Sequence, residues 1–251
     1  GGSVEPRIIR SLTRLVGGAT VAIVDQIHAA VETGTLVRAG GVWRQRGELR
    51  LASATLARLV PVIDPLAPEE LEALDLVALV PRIDVEVVER LVGPEVLVAL
   101  EAQALISLVD GDRTQSIEIT DRVVGSARLQ EMGGLRRRSL ARRLLAELAL
   151  VGDVAGTDPV TVAAVRLAAG APLDIDHVVG AARAAPKQGE LPLAIRLCEA
   201  IAAAERTTEL ALLLAELLTD IGRNREADSV LHDLHGHDDE ERALIAMTRA
   251  V

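Results

Sequence analysis

The stretch from Leu15 to Trp43 constrains the fold more than any other part of this chain. Gly17-Gly18 break a first short helix opened by Pro6, a first-turn position where the missing N–H of proline costs nothing. Thr20 is suited to cap the next helix, in which Val21, Val24, Ile27/His28 and Val31 recur at helical spacing. Gly34 ends that helix. Thr35 to Val37 and Val42 to Arg44 then flank Ala39-Gly40-Gly41, which predicts a β-hairpin. A helix running straight into a hairpin, in a chain otherwise helical in pattern, is the first handle on architecture.

The core must be aliphatic. Hydrophobic residues make up 49% of the 251 positions, yet there is no Phe, no Tyr and only Trp43. Of the 27 basic residues all but Lys187 are arginine, a compositional bias rather than a mechanism. Without exposed rings the chain cannot offer a stacking platform to single-stranded nucleic acid, nor several aromatic anchors to a protein interface. A net charge of −10 repels a phosphate backbone. Cys198 has no partner for an internal disulfide, which fits a reducing compartment. No apolar run approaches the ~18 uncharged residues of a membrane span, and the N-terminus lacks the basic-then-apolar pattern of a signal peptide. The expectation is a cytoplasmic segment with no membrane contact and no direct nucleic-acid contact.

From Ser53 to Ala104 four short helices are expected, punctuated by Pro61, Pro65, Pro68, Pro81 and Gly93-Pro94. Leu105 to Val109 and Ser116 to Ile119 are β-prone runs around Asp110-Gly-Asp-Arg113, so a second hairpin follows. Helices closed by a terminal hairpin describe a winged-helix domain, here 35–132, preceded by helices over 1–34. Beyond Gly133-Gly134 the pattern is helical. Leu140, Leu144, Leu145 and Leu148 form an apolar stripe on a helix that also carries Arg136, Arg137, Arg138, Arg142 and Arg143. Gly189, Ala194, Leu197 and Cys198 recur 33 residues later as Gly222, Ala227, Val230 and Leu231. A glycine turn followed by a small residue and apolar positions is the logic of tetratricopeptide-like stacking. Glu209 to Ile221 and Glu226 to His235 form the clearest unit, and Asp239 to Val251 reads as the opening helix of another. No polar-faced capping helix follows, so the array over 133–251 reads as incomplete. The expected class is mainly α: a winged-helix domain with small hairpins, then tetratricopeptide-like repeats.

Candidate chemistry is sparse. His232-Asp-Leu-His-Gly-His-Asp-Asp239 has the ligand types of a zinc or nickel site, but a polar loop after a helix end at Gly236 is the plainer reading. The Arg136–Arg143 run could meet phosphates; the solvated face of an amphipathic helix, paired with acids such as Glu131 and Glu147, explains it more simply. Cys198 falls on an apolar face as an inert buried thiol, and His28 is read as a partly covered helix residue. The adjacent carboxylates Glu69-Glu70, Asp238-Asp239 and Glu240-Glu241 point apart on a helix and make no acid/base pair. No GxxxxGK[ST] loop is present. No catalytic residue and no metal site are expected.

Several pieces, in order, resemble one family. Gly1-Gly-Ser-Val-Glu-Pro6, Gly17-Gly18 opening a helix, and Glu32-Thr-Gly-Thr-Leu-Val-Arg-Ala-Gly-Gly-Val-Trp-Arg44 are similar to the stretch after the ATPase core of large LuxR-type, MalT-like signal-transduction ATPases of actinobacteria. Leu91-Val-Gly, Leu135-Arg-Arg-Arg-Ser-Leu-Ala-Arg-Arg-Leu, Leu167-Ala-Ala-Gly-Ala-Pro-Leu-Asp174 and the repeats 189–201 and 212–231 continue the series. The resemblance implies the end of an ATPase lid, a winged helix and the start of a helical sensor arm, in a parent with an ATP/ADP-binding domain upstream and a promoter-binding helix-turn-helix downstream.

Two departures bear on nucleotide sensing. The family usually reads Gly-Asn-Pro where this chain has Gly18-Ala19-Thr20, and favours His-Pro where it has Asp121-Arg122. In related ATPases a histidine near the latter position contacts the ADP phosphate, which a carboxylate at Asp121 would repel. Gly18, Thr20 and Asp121 therefore match nucleotide-sensing positions in altered form, and the segment itself needs no cofactor. The implied partners are the parent's own ATPase and helix-turn-helix domains, an inducer or protein on the arm, and a further copy of the chain. The rival reading is a tetratricopeptide-type interaction scaffold without a nucleotide switch. A winged-helix DNA binder ranks last, because the helices at Ser53–Val60 and Pro94–Leu105 are apolar or acidic.

Overall fold

The structure, a computed structural model, describes residues 3–17, 20–46, 49–80, 82–110, 115–150, 158–188 and 190–232. It is mainly helical with two small sheets and divides into two compact units, Gly1–Gly156 and Thr157–Val251.

The first unit opens with β1 (Ser3–Val4), α1 (Pro6–Val16), α2 (Thr20–Glu32) and the hairpin β2 (Leu36–Ala39) and β3 (Val42–Gln45). The hairpin pairs Leu36 with Gln45 through Ala39 with Val42, and its turn sits on Gly40 and Gly41, both at positive φ. That geometry follows the right-handed twist of the strands and is strained for residues bearing a Cβ. β1 runs parallel to β3 and makes a third strand that two residues of sequence do not announce. Ile8, Leu12, Ala30, Leu36 and Leu49 form the local core, with Trp43 packed partly buried against it.

The expected four helices between Ser53 and Ala104 are α3 (Ser53–Ile63), α4 (Pro68–Ala78), α5 (Val85–Val92) and α6 (Pro94–Ala102). α3 runs through Pro61, whose missing N–H falls in the last turn, where little of the helix remains to be disrupted. β4 (Ile83–Asp84) precedes α5, and β5 (Ile106–Asp110) and β6 (Gln115–Ile119) follow α6. These strands form one antiparallel sheet in the order β4-β6-β5. The Gly111–Arg113 part of the expected Asp-Gly turn lies outside the described residues. α7 (Arg122–Glu131) and α8 (Gly134–Leu150) complete the unit. α4 is its axis: Leu74, Asp75 and Leu76 are fully buried, and the helix packs on α5, α6, α7 and α8.

Two features depart from the sequence reading. α8, expected to begin the repeat arm, packs on α4 and α5 inside the first unit, burying Leu140, Ala141, Leu144 and Leu148. α2 is rotated so that Ala22, Gln26 and Ala30 face inward and Val21, Val24, Ile27, His28 and Val31 face out. His28 is thus exposed rather than partly covered. Close packing of α2 on α1 and α3 favours its small residues, and Gln26 has backbone partners inside.

The second unit stacks α9 (Pro159–Ala169), α10 (Ile175–Ala184), α11 (Leu191–Ala200), α12 (Thr208–Asp220) and α13 (Asn224–His232) in sequence order. Asp158, Asp174 and Thr207 accept hydrogen bonds from the first-turn N–H groups of Val160, His177 and Leu210, capping α9, α10 and α12. The 33-residue echo has a packing basis. Ala194, Leu197 and Cys198 on α11 are buried, as are Ala227 and Leu231 on α13, with Val230 packed against the same core. Gly189 and the expected helix Asp239–Val251 lie outside the described residues.

Candidate functional site

The segments singled out by sequence meet where α1 ends and α7 begins. α1 stops at Gly17, in the left-handed region at φ 61°, with its N–H donating to the Thr13 carbonyl. A Cβ on Gly17 would come within 3.3 Å of the Arg122 Cβ, so both the turn and the close approach of α7 favour glycine here. Val16, Ala22, Leu51, Val123 and Ala127 form one buried cluster across this joint.

Asp121, beside Arg122, caps α7: its Oδ1 accepts the Val123 N–H at 2.8 Å. The carboxylate thus has a local task that sequence reading did not assign. Asp121→Ala is expected to lower stability by about 1 kcal/mol, the usual cost of losing an N-cap, read from urea denaturation midpoints. Thr20 is exposed and is the first helical residue of α2 rather than the residue flanking it. Gly18 lies outside the described residues.

Two glutamines hold the connection between β3 and α3. Gln26 on α2 donates to the Arg50 carbonyl at 2.5 Å and accepts the Ala52 N–H at 3.0 Å. Gln130 on α7 accepts the Leu51 N–H at 2.8 Å and donates to the Leu51 carbonyl at 3.4 Å. The side-chain amides act as strand partners for an irregular buried segment whose backbone groups need them. Sequence reading missed both; a polar residue between Ala22 and Ala30 at four-residue spacing was the available signal.

The buried carboxylate of Asp75 was missed as well. Its two oxygens accept from Arg128 Nε and Arg136 Nε, both at 2.8 Å, and Arg128 also reaches Glu131 at 3.0 Å. Arg143 pairs with Glu72 at 2.6 Å. Part of the arginine run therefore latches α8 onto α4, with Asp75 and Glu72 as partners where sequence pointed to Glu131 and Glu147. A carboxylate set between two leucines, Leu74-Asp-Leu76, was its only announcement.

Charge is strongly local. Between Pro68 and Asp121 thirteen carboxylates stand against Arg82, Arg90 and Arg113. α6 carries Glu95 and Glu101, no base, and an exposed Val98. In the second unit burial pushes the Cys198 thiol up to about 11, so it stays protonated and unreactive near neutral pH. Among the described residues no group of three or more His, Cys, Asp or Glu is placed to hold a metal ion, and no helix is long and apolar enough to cross a membrane. The histidine cluster beyond His232 falls outside them. Comparison with protein-family models, curated proteins and solved structures finds no match to this chain.

Proposed function

We propose that this chain is the regulatory and sensor segment of a LuxR-type, MalT-like signal-transduction ATPase that controls transcription from the cytoplasm. The observation that carries the reading is the element order α4-β4-α5-α6-β5-β6 with strands arranged β4-β6-β5. Helix-strand-helix-helix-hairpin with that sheet order is the arrangement of a winged helix. The helix in the position that would read DNA is acidic, so this winged helix acts on protein rather than on a phosphate backbone. The joint at Gly17 and Arg122 ties the preceding helices to α7, as a lid meeting a winged helix would require. The α9–α13 stack supplies a tetratricopeptide-like arm on which an inducer or partner biases two packings of the parent.

The second reading, an interaction scaffold without a nucleotide switch, is favoured by Asp121, whose carboxylate caps α7 and carries a charge that repels phosphate. The coding sequence on either side separates the two. A Walker-type loop upstream and a helix-turn-helix downstream support the regulator, and their absence leaves the scaffold. Asp121→Asn keeps the capping oxygen and removes the charge. In the regulator reading it tightens ADP binding by the full-length parent about tenfold in calorimetric titration, the effect of removing one like charge near a phosphate. An unchanged ADP affinity would place the nucleotide away from this joint.

A further inference from the structure

Ser139 stands inside the arginine run, in Arg136-Arg-Arg-Ser-Leu140, and is the one serine or threonine of the chain with arginine at both the second and the third position before it. It is exposed, in the second turn of α8. Arg136 lies three residues before it and Arg143 four residues after, so the three side chains share one flank of the helix. That flank reaches α4: Arg136 pairs with Asp75 at 2.8 Å and Arg143 with Glu72 at 2.6 Å. Along the helix, Ser139 therefore lies between the two ion pairs that latch α8. Asp75 adds a constraint of its own, because it holds Arg128 of α7 and Arg136 of α8, one on each side of Gly133-Gly134.

We propose that Ser139 is a phosphorylation site for an arginine-directed protein kinase, and that its phosphate draws Arg136 and Arg143 away from Asp75 and Glu72 and loosens α8 from α4. The acidic cleft of such a kinase pairs with the guanidiniums ahead of the serine, the kind of charge pattern by which kinases sort substrates. The turns it must open are the first two of α8, a helix end where local opening costs least, and Leu135 there is 87% exposed. In the transfer the serine Oγ bonds to the γ-phosphorus of a nucleoside triphosphate and the bond from that phosphorus to its bridging oxygen breaks. The nucleoside diphosphate leaves with the electron pair, and the hydroxyl proton passes to the base of the kinase. The product carries up to about two negative charges and three strong acceptor oxygens. Arg136 and Arg143 are 49% and 42% exposed, so both can turn to the phosphate without being taken from water. Ser139 lies past the first turn, beyond the reach of the helix dipole, so the arginines are what holds the anion. Asp75 keeps Arg128, while α8 loses both of its pairs and gains a like charge on the flank that meets Asp75 and Glu72. The proposal does not rest on the regulator reading, which places its signal on the α9–α13 arm.

The test uses the 251-residue chain in two arms. In the first, the folded chain is incubated with ATP and the catalytic subunit of a cyclic-AMP-dependent kinase, an arginine-directed enzyme. Phosphate mapped to Ser139 by fragmentation mass spectrometry is the expected result, with Ser139→Ala losing it. No phosphate at Ser139, or phosphate there only after unfolding in urea, overturns the site. The second arm needs no kinase: phosphoserine is built in at position 139 during translation and hydrogen exchange is followed. The amides from Leu140 to Leu148 should exchange at least about tenfold faster, while those of α4 and α12 keep their rates. Arg136→Gln/Arg143→Gln should reach a similar rate without phosphate, and phosphoserine in that variant should add less than about twofold, because both changes remove the same pairs. Unchanged or slower exchange in α8 overturns the release. So does acceleration that spreads through α4, which would be a general loss of stability, or acceleration that is as large in the arginine variant as in the wild type.

Discussion

Asp75→Ala destabilises the first unit by about 3 kcal/mol in urea or thermal denaturation, the low end of what losing one partner of a buried ion pair costs. Asp75 is fully buried and is the shared acceptor of Arg128 and Arg136, the latter on α8. Removing it leaves the Arg128 guanidinium, 14% exposed, with Glu131 as its remaining carboxylate. Arg136, at 49% exposed, recovers much of its hydration, which keeps the loss from the high end. The double variant Asp75→Leu/Arg128→Met should recover most of the deficit, because a hydrophobic replacement removes the desolvation cost along with the attraction. A loss below about 0.5 kcal/mol for Asp75→Ala would mean that water enters to solvate the arginines and that α8 is not held by this carboxylate.

In the second unit, Leu214→Ala is expected to cost about 3–4 kcal/mol by chemical denaturation. Leu214 is 1% exposed on α12, and the core around it is built from Leu, Val, Ile and Ala with Cys198 and no aromatic ring. Small aliphatic side chains on stacked helices have little slack to collapse into a vacated volume, so the cavity term adds to the transfer term. Glu216→Ala, two positions along and solvent-exposed, serves as the control and should shift stability by less than about 0.5 kcal/mol. Equal effects at the two positions would contradict the packing of α12.

Much of the architecture was legible because it rests on local rules. Gly40-Gly41 fixes the first hairpin through backbone freedom, and Pro68 and Pro94 mark where α4 and α6 begin. The 33-residue recurrence marks buried positions on α11 and α13. What stayed hidden is non-local. The third strands, Ser3–Val4 and Ile83–Asp84, are too short to show a period. The orientation of α2 was not legible, because apolar periodicity identifies a stripe without saying which side is covered, and His28, expected to be partly covered, is exposed. Asp75, Gln26 and Gln130 act through partners 24 to 79 residues away, beyond any sequence window. Of the residues matched to nucleotide sensing, Asp121 proved to have a capping role, and Thr20 sits exposed at the start of α2.

The glutamine clamp also governs how this protein can be taken apart. Residues 49–52 resemble a linker, the kind of place where a chain is cut, lengthened or permuted. Their backbone is held instead by amides from both α2 and α7. An extra residue there would slide Arg50, Leu51 and Ala52 out of register with both glutamines at once. The first forty-odd residues and the helices that follow are therefore one piece for any attempt at dissection, and a boundary drawn after the first hairpin would run through the joint rather than beside it.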